Sequence, residues 1–206
     1  MNVRLQYTAN FNAGIYYNGQ MQMNNYVAKI YMLTNTPDGI ASNVALDRIK
    51  HFIYTQIDSS IFIDSEDQEQ CQKYVAANLN VTTFPGGPVD QLVGIMLYYK
   101  LKAITEDRML IGEVEISSTL GEGLIYIHGD NESVNDVTIP DWWESVDLVH
   151  CDRELIDSDK VVNIQHTSVW RDLDLAWPDI EDNTLEDHET GNTVVFADFK
   201  RLDDTE

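Results

Sequence analysis

Five histidines, two cysteines and 35 acidic side chains are the groups with which this chain could do chemistry. The histidines are His51, His128, His150, His166 and His188. No two stand four residues apart and no Cys-x-x-Cys occurs, so the local motifs that gather a metal are absent. His150-Cys151-Asp152 holds the residue types of an activated thiol. Neighbours in an extended chain point to opposite faces, however, so the triplet does not converge as written. Cys71 and Cys151 read as reduced, structural thiols. The run Asp64-Ser65-Glu66-Asp67-Gln68-Glu69 offers the hard oxygens that calcium takes. It lacks the glycine and the closing glutamate of a calcium loop, and a solvated charge cluster is the default reading. Asp179-Ile180-Glu181-Asp182 fails the same test. Pro85-Gly86-Gly87-Pro88 precedes a helix, but without Gly-Lys-Ser/Thr, and with prolines removing amide donors, it is no phosphate cradle. No catalytic residue, metal site or cofactor is expected.

The tryptophans carry a different chemistry. Trp142 and Trp143 lie between Asp141 and Glu144; Trp170 and Trp177 stand among Asp172, Asp174, Asp179, Glu181 and Asp182. Apolar anchors rimmed by negative charge suit a basic partner, since buried aromatics dominate interface energies and rim charges steer approach. These nine residues, Trp142, Trp143, Trp170, Asp172, Asp174, Trp177, Asp179, Glu181 and Asp182, are the candidate partner-binding set. The competing reading is that the tryptophans pin their own segment onto the rest of the chain.

Charge sharpens this picture. The formal net charge is −22. Residues 1–106 hold nine acids against seven bases, and residues 107–206 hold 26 against six. A field of that sign repels nucleic acid backbones and anionic membranes and draws in basic partners. A solubilising surface is the plainer alternative. At 43% hydrophobic and 10% aromatic, the 206 residues support a globular core. No apolar run approaches a bilayer span, and Met1-Asn2-Val3-Arg4 does not open a signal peptide, so a cytoplasmic location is expected.

The elements that must position these groups fall in two regions, a core domain over 1–130 and an acidic extension over 131–206. In the first, Leu5 to Tyr17 and Tyr26 to Leu33 read as strands about an Asn18-Gly19 turn. Ser42 can cap a helix with Leu46, Ile49 and Ile53 on one face. Asp64 to Glu69 reads as a loop and Asn78 to Thr83 as a short strand or arm. Pro88 opens a second helix bearing Leu92, Ile95, Met96 and Tyr99 on one face. Leu110 to Ser117 and Leu124 to His128 read as a closing hairpin. The expected fold class is α+β, an antiparallel ββ-α-α-ββ sheet with two helices on one face. In the extension, Val161 to Ile164 and Thr193 to Phe199 read as short strands.

This order carries a resemblance. Phe11-Asn12-Ala13-Gly14, Asn25-Tyr26, Ile57-Asp58-Ser59-Ser60 with Phe62-Ile63-Asp64, Asp90-Gln91-Leu92 and Val114-Glu115-Ile116 through Tyr126 fall as related fragments do in the tunnelling-fold pterin synthases. The first 130 residues resemble that family, the 6-pyruvoyl- and 6-carboxytetrahydropterin synthases. The resemblance implies a barrel closed by strand pairing between subunits, and it marks departures. Its three zinc histidines fall on Ile15, Gln22 and Asn24, its Asp-His pair on Asp58-Ser59, and its pterin-gripping glutamate on Ser118. Its catalytic cysteine has no counterpart before the second strand. The whole chain also resembles proteins of T-even-type phages that infect marine cyanobacteria, a resemblance that supplies a setting and no activity.

The reading is therefore a non-catalytic binding or assembly protein that self-associates into a homo-oligomer, with an acidic extension that engages a partner. The partner would be a basic host protein or another phage structural protein, in the host cell or a virion. The rivals are an acidic nucleic-acid mimic directed at a host DNA- or RNA-handling protein, a virion component, and a pterin-type enzyme with a rebuilt site.

Overall fold

The computed structural model describes residues 3–35, 39–130, 137–148 and 170–178. Two long strands, β1 (Arg4–Tyr17) and β2 (Gln20–Thr34), form a hairpin paired in register from Arg4↔Leu33 to Tyr17↔Gln20. Asn18 and Gly19 both take positive φ (50° and 77°), the backbone that a two-residue hairpin turn requires. Side chains alternate as the pleat demands. Ala9, Phe11 and Ala13 with Tyr26, Ala28, Ile30 and Met32 face inward, while Thr8, Asn10 and Asn12 with Met23, Asn25 and Val27 face outward.

The fold is α+β, and its sheet has six strands in the order β4-β3-β1-β2-β5-β6. β5 (Met109–Ser118) continues β2 antiparallel, and β6 (Tyr126–Gly129) continues β5. On the other side β3 (Ser60–Asp64) runs parallel to β1, and β4 (Val81–Phe84) parallel to β3. The sheet is thus mixed where the sequence pattern suggested an antiparallel one, because β3 and β4 enter through helical connections, which parallel pairs need.

One face of the sheet carries α1 (Gly39–His51), a π-helical turn that prolongs it (Phe52–Ile57), and α3 (Asp90–Thr105). α1 begins at Gly39 rather than at a Ser42 cap, since nothing between them interrupts a helix; Ser42 lies one turn inside. α3 begins at Asp90 with Val89 as its cap, two residues after Pro88. Its end is abrupt: Glu106 and Asp107 both adopt left-handed backbone, φ 46° and 61°. The expected single apolar face of α3 is an underestimate. Leu92 to Tyr98, Lys100, Leu101, Ile104 and Thr105 are all buried, whereas Tyr99 is only half-buried. The helix is covered from both sides, by the sheet and by the short α4 (Asp141–Glu144).

The stretch read as an acidic loop is the junction between β3 and a further helix, α2 (Gln68–Ala76). α2 packs on the opposite face of the sheet, where Cys71 joins Ile63 and Val81 with Tyr16, Tyr74 and Val75 around them. The main core runs from Ala9 through Trp142, Trp143, Leu148 and Trp170 as one cluster, so residues beyond 130 complete it. The strands expected over Val161 to Ile164 and Thr193 to Phe199 lie outside the described residues.

Candidate functional site

The positions that the resemblance marks lie toward one end of the inner face; Gln22 is exposed, paired with Ile15 across the hairpin, and Asn24, Asp58, Ser59 and Ser118 have structural tasks. Ile15 is half-buried and has no donor atom to offer a metal. Asn24 is fully buried, and its Oδ1 accepts from Thr119 Oγ1 at 2.9 Å and the Leu120 amide at 3.1 Å. Asp58 Oδ1 accepts from the Asn12 amide at 2.8 Å, and the Ser59 amide donates to Asn12 O at 2.7 Å, tying the π-helical turn to β1. Ser118 Oγ donates to Asp90 Oδ2 at 2.6 Å and accepts from the Gly121 amide at 3.0 Å. Ile15, Gln22 and Asn24 do not fit a zinc ion, which takes imidazole, thiolate or carboxylate ligands. Among the described residues no three His, Cys, Asp or Glu come together as a metal group. Burial pushes the Tyr26 phenol up, and the neighbouring Asn24 side chain draws it back.

The second constellation is built around the tryptophans. Trp142 and Trp143 are buried in the chain's own core, set edge to face with ring centroids 6.1 Å apart, Trp143 against Phe84. Trp170 is buried, and its indole N–H donates to Val146 O at 2.9 Å. Trp177 is half-buried. Two of the candidate acids, Asp172 and Asp174, are exposed on the same short segment, whereas Asp179, Glu181 and Asp182 lie outside the described residues. The candidate set is therefore split. The indoles turn toward the chain itself and the described carboxylates toward solvent.

What receives the indoles is cationic. The Arg48 guanidinium, from α1, lies 4.5 Å from the centroid of Trp170 and 3.8 Å from that of Trp177, and Arg108 lies 4.3 Å over Trp177. The rings and guanidinium groups therefore run Trp170, Arg48, Trp177, Arg108. Such contacts contribute about 0.5–2 kcal/mol each, the larger values when desolvated. Arg48 is 2% exposed and donates to Leu175 O at 2.8 Å, Ile104 O at 3.1 Å and Glu106 Oε1 at 2.7 Å. Burial lowers its pKa, and Glu106 draws it back. Glu106 owes its place to the left-handed turn that ends α3.

A second buried cation holds the other part of the extension. Lys100 is fully buried, and its ammonium donates to Trp142 O and Ser145 O at 2.8 Å and Asp147 O at 2.5 Å. The ammonium thereby serves two carbonyls at the end of α4 and a third just beyond it. Burial pushes Lys100 down to about 7, against the opposing pull of the Asp147 charge. Arg48, Lys100 and Arg108 did not figure among the sequence candidates. The signal was there: Arg48 falls in the stripe Ala41, Ala45, Ile49, Phe52, and Lys100 in the stripe Val93, Met96, Leu97, Leu101, Ile104. A charge in an apolar stripe implies a partner waiting there.

Two further features are visible. The Asp64 to Asp67 turn, with Tyr16, Tyr17, Asn18 and Gly19, lines an open cleft of about 340 Å³. Asp64 itself serves the turn, accepting from the Glu66 amide at 3.0 Å. The outer sheet face exposes Met21, Met23 and Val27 on β2, and Ile127 on β6 with Ile125 just before it. At its centre Glu115 pairs with Lys29 at 2.8 Å and accepts from Tyr31 at 2.7 Å. Among the described residues no helix is long and apolar enough to cross a membrane.

Comparison with known proteins finds no matching family model and no matching curated protein. Among solved structures, the chain is similar to the 6-pyruvoyl tetrahydropterin synthase of Plasmodium falciparum, at 12% identity and a TM-score of 0.39, over 62% of this chain and 96% of that one. It is also similar to the Plasmodium vivax enzyme of that name, at 9% identity and a TM-score of 0.40, over 64% and 99%. With both TM-scores under 0.5, no argument is taken from either likeness.

Proposed function

We propose that this is a non-catalytic binding and assembly protein, which associates with itself through the outer sheet face and free edge and presents an acidic extension to a partner. The observation that carries this reading is the outer face. Met23 is 66% exposed and Ile127 49%, both on the outer side of a sheet whose inner side is packed, and Ile125, just before β6, is 56% exposed. Met21, Met23, Val27 and Ile127 share this face with the Lys29–Glu115 ion pair, and exposed apolar side chains set about a polar pair are a surface that profits from being covered. Among the described residues the sheet ends at β6, a short strand, Tyr126-Ile127-His128-Gly129, without lysine or proline.

The residue chemistry supports a non-catalytic role as far as the resembled pterin synthases are concerned. A zinc-and-imidazole mechanism would need ligands and a base where Ile15, Gln22, Asn24 and Ser59 stand. The setting in a phage-infected cell, including a place in the virion, rests on the sequence resemblance. Sedimentation velocity over micromolar concentrations tests the assembly. The wild type is expected to run as a defined oligomer, and Met23→Lys with Ile127→Lys to reduce it to a monomer of unchanged thermal stability. A wild type that sediments as a monomer throughout removes the reading.

The exposed Asp172 and Asp174 favour a second reading, an acidic surface that mimics nucleic acid toward a basic host protein. Its signature is binding that weakens steeply with salt.

A further inference from the structure

The turns that follow β1 and β3 stand side by side at one end of the sheet. The two strands are parallel neighbours, and Tyr16 pairs with Ile63 at their carboxyl ends. From there the chain leaves in different directions. β1 folds back within the sheet at Asn18-Gly19, whereas β3 passes to α2 on the outer face, and α1, which precedes β3, packs on the inner face. Strand ends from which the chain diverges in this way are where open sheets receive ligands. The gap between them is the open cleft of about 340 Å³, whose lining includes Tyr16, Tyr17, Asn18, Asp64, Glu66 and Asp67.

The lining carries charge of one sign. Asp64, Glu66 and Asp67 bring three carboxylates, and no lysine, arginine or histidine lines the cleft. On α2, Glu69 and Lys73 are exposed and lie outside the lining. Among the described residues none of the three lining acids forms an ion pair. Asp64 Oδ1 serves the turn by accepting from the Glu66 amide, but Asp67, which precedes α2, makes no side-chain cap. The negative field reaches Tyr16, whose phenol is held above its ordinary range by burial and then by Asp67, Tyr74 and Glu69. The carboxylates are not focused on a point, since among the described residues no three His, Cys, Asp or Glu form a metal group.

Two aromatic rings stand among these acids, and both are held in place. Tyr16 meets Tyr74 of α2 edge to face, with ring centroids 5.8 Å apart. The Tyr17 ring lies against Gly87, where a Cβ would come within 3.1 Å of Tyr17 Cε2. Gly87 also has a φ of +101°, so the Pro85-Gly86-Gly87-Pro88 turn needs glycine there and seats one wall of the cleft. Aromatic rings beside carboxylates suit an organic cation, which the ring quadrupole attracts and the carboxylates neutralise.

We propose that this cleft binds an organic cation, an alkylammonium or guanidinium group, with Tyr16 and Tyr17 as aromatic walls and Glu66 and Asp67 as countercharge. A free amine carries such a group, and so does a lysine or arginine side chain of another protein. The chemistry is shared, and the experiment separates the two sources.

The full chain is titrated with methylguanidinium, with spermidine and with an end-blocked peptide holding a single arginine, and its amide NMR signals are followed. Saturable shifts are expected at residues 16–19 and 63–67, and N-methylurea, neutral and nearly isosteric with methylguanidinium, is expected to give none. Glu66→Gln with Asp67→Asn is expected to weaken binding by roughly three- to tenfold, the loss of two charge contacts at a partly exposed site. Tyr17→Leu is expected to weaken it by about two- to fivefold, as removal of an exposed cation–ring contact does. Tyr17 is 54% exposed, so the fold does not depend on its ring. A net charge of −22 attracts any cation, and Asp172→Asn with Asp174→Asn, which removes as many charges elsewhere, is expected to leave the affinity unchanged. Equal weakening by the two acidic pairs would reduce the effect to general attraction and overturn the proposal. Shifts from N-methylurea, or no saturable shift at these amides from any of the three cations, would overturn it as well. A peptide that binds more tightly than the free cations assigns the site to a partner's side chain; one that binds equally or more weakly assigns it to a free amine.

Discussion

Lys100 sits where a leucine would be unremarkable, in the middle of a buried stripe, with three carbonyl oxygens around its ammonium. Removing the donor takes a hydrogen bond from each of those carbonyls, and leaving a buried acceptor unpaired costs about 1–3 kcal/mol. Lys100→Met is therefore expected to lower unfolding stability by about 2–4 kcal/mol, measured by urea titration, despite keeping the volume. The sign of the pH dependence follows from the folded pKa of about 7 against 10.5 for the free side chain. Below pH 7 both states hold the proton and stability is flat in this group. Between about 7 and 10.5 the unfolded chain binds more protons than the folded one, so stability rises with pH. Above that range the contribution is again constant. The wild type should gain in urea midpoint between pH 6.5 and 9.5 (approximate working limits), and the methionine variant should lose that gain. Tyr7 and Tyr26, both raised by burial, act in the opposite sense only as tyrosines ionise, above this window. An unchanged slope in the variant would mean that Lys100 keeps its proton throughout.

Between elements, α3 and β5 approach closely in the core. A Cβ on Gly94 would stand 2.9 Å from Ile116 Cγ2. Alanine at a helical glycine gains about 1 kcal/mol in propensity. Overpacking a close contact costs about 1–3 kcal/mol, so Gly94→Ala is expected to destabilise slightly, by about 1 kcal/mol net, in the same titration. A stabilised variant would show that Ile116 can yield. This scale also explains what was legible in the sequence. β1, β2 and β5 announce themselves because one face is buried and the other is not, which produces alternation. β4 is buried at all four positions, so nothing alternates, and α2 buries only Cys71, so no stripe appears. The resembled family's positions could be located by order and spacing. Whether a tryptophan among acids turns inward or outward could not, because composition is identical in both cases. The answer lay in distant residues: two arginines and a lysine that only the folded chain brings beneath the indoles.

For the molecule as a whole, charge and apolar surface pull in different directions. A net charge of −22 opposes self-association through long-range repulsion, while the outer face of the sheet favours it. Added salt should therefore strengthen assembly by screening the repulsion, and sedimentation in rising salt would show it. Binding of a basic partner would respond in the reverse sense, weakening as salt rises and as Asp172, Asp174, Asp179, Glu181 and Asp182 are changed to their amides. Affinity for such a partner that is equal in low and high salt excludes nucleic-acid mimicry. The two salt responses separate assembly from mimicry in one preparation.

All four tryptophans stand after residue 130, and not one occurs in the six-stranded sheet or the helices α1 to α3. Three of them are nearly sealed from water, and the fourth lies against two guanidinium groups. The protein thus carries an intrinsic optical label. Indole emission, excited apart from tyrosine, comes only from residues that dock onto the sheet and its helices and from none that form them. A red shift of that emission while the far-ultraviolet dichroism stays constant would record detachment of the later segments from an intact fold. Coincident changes would mean that the two come apart only together.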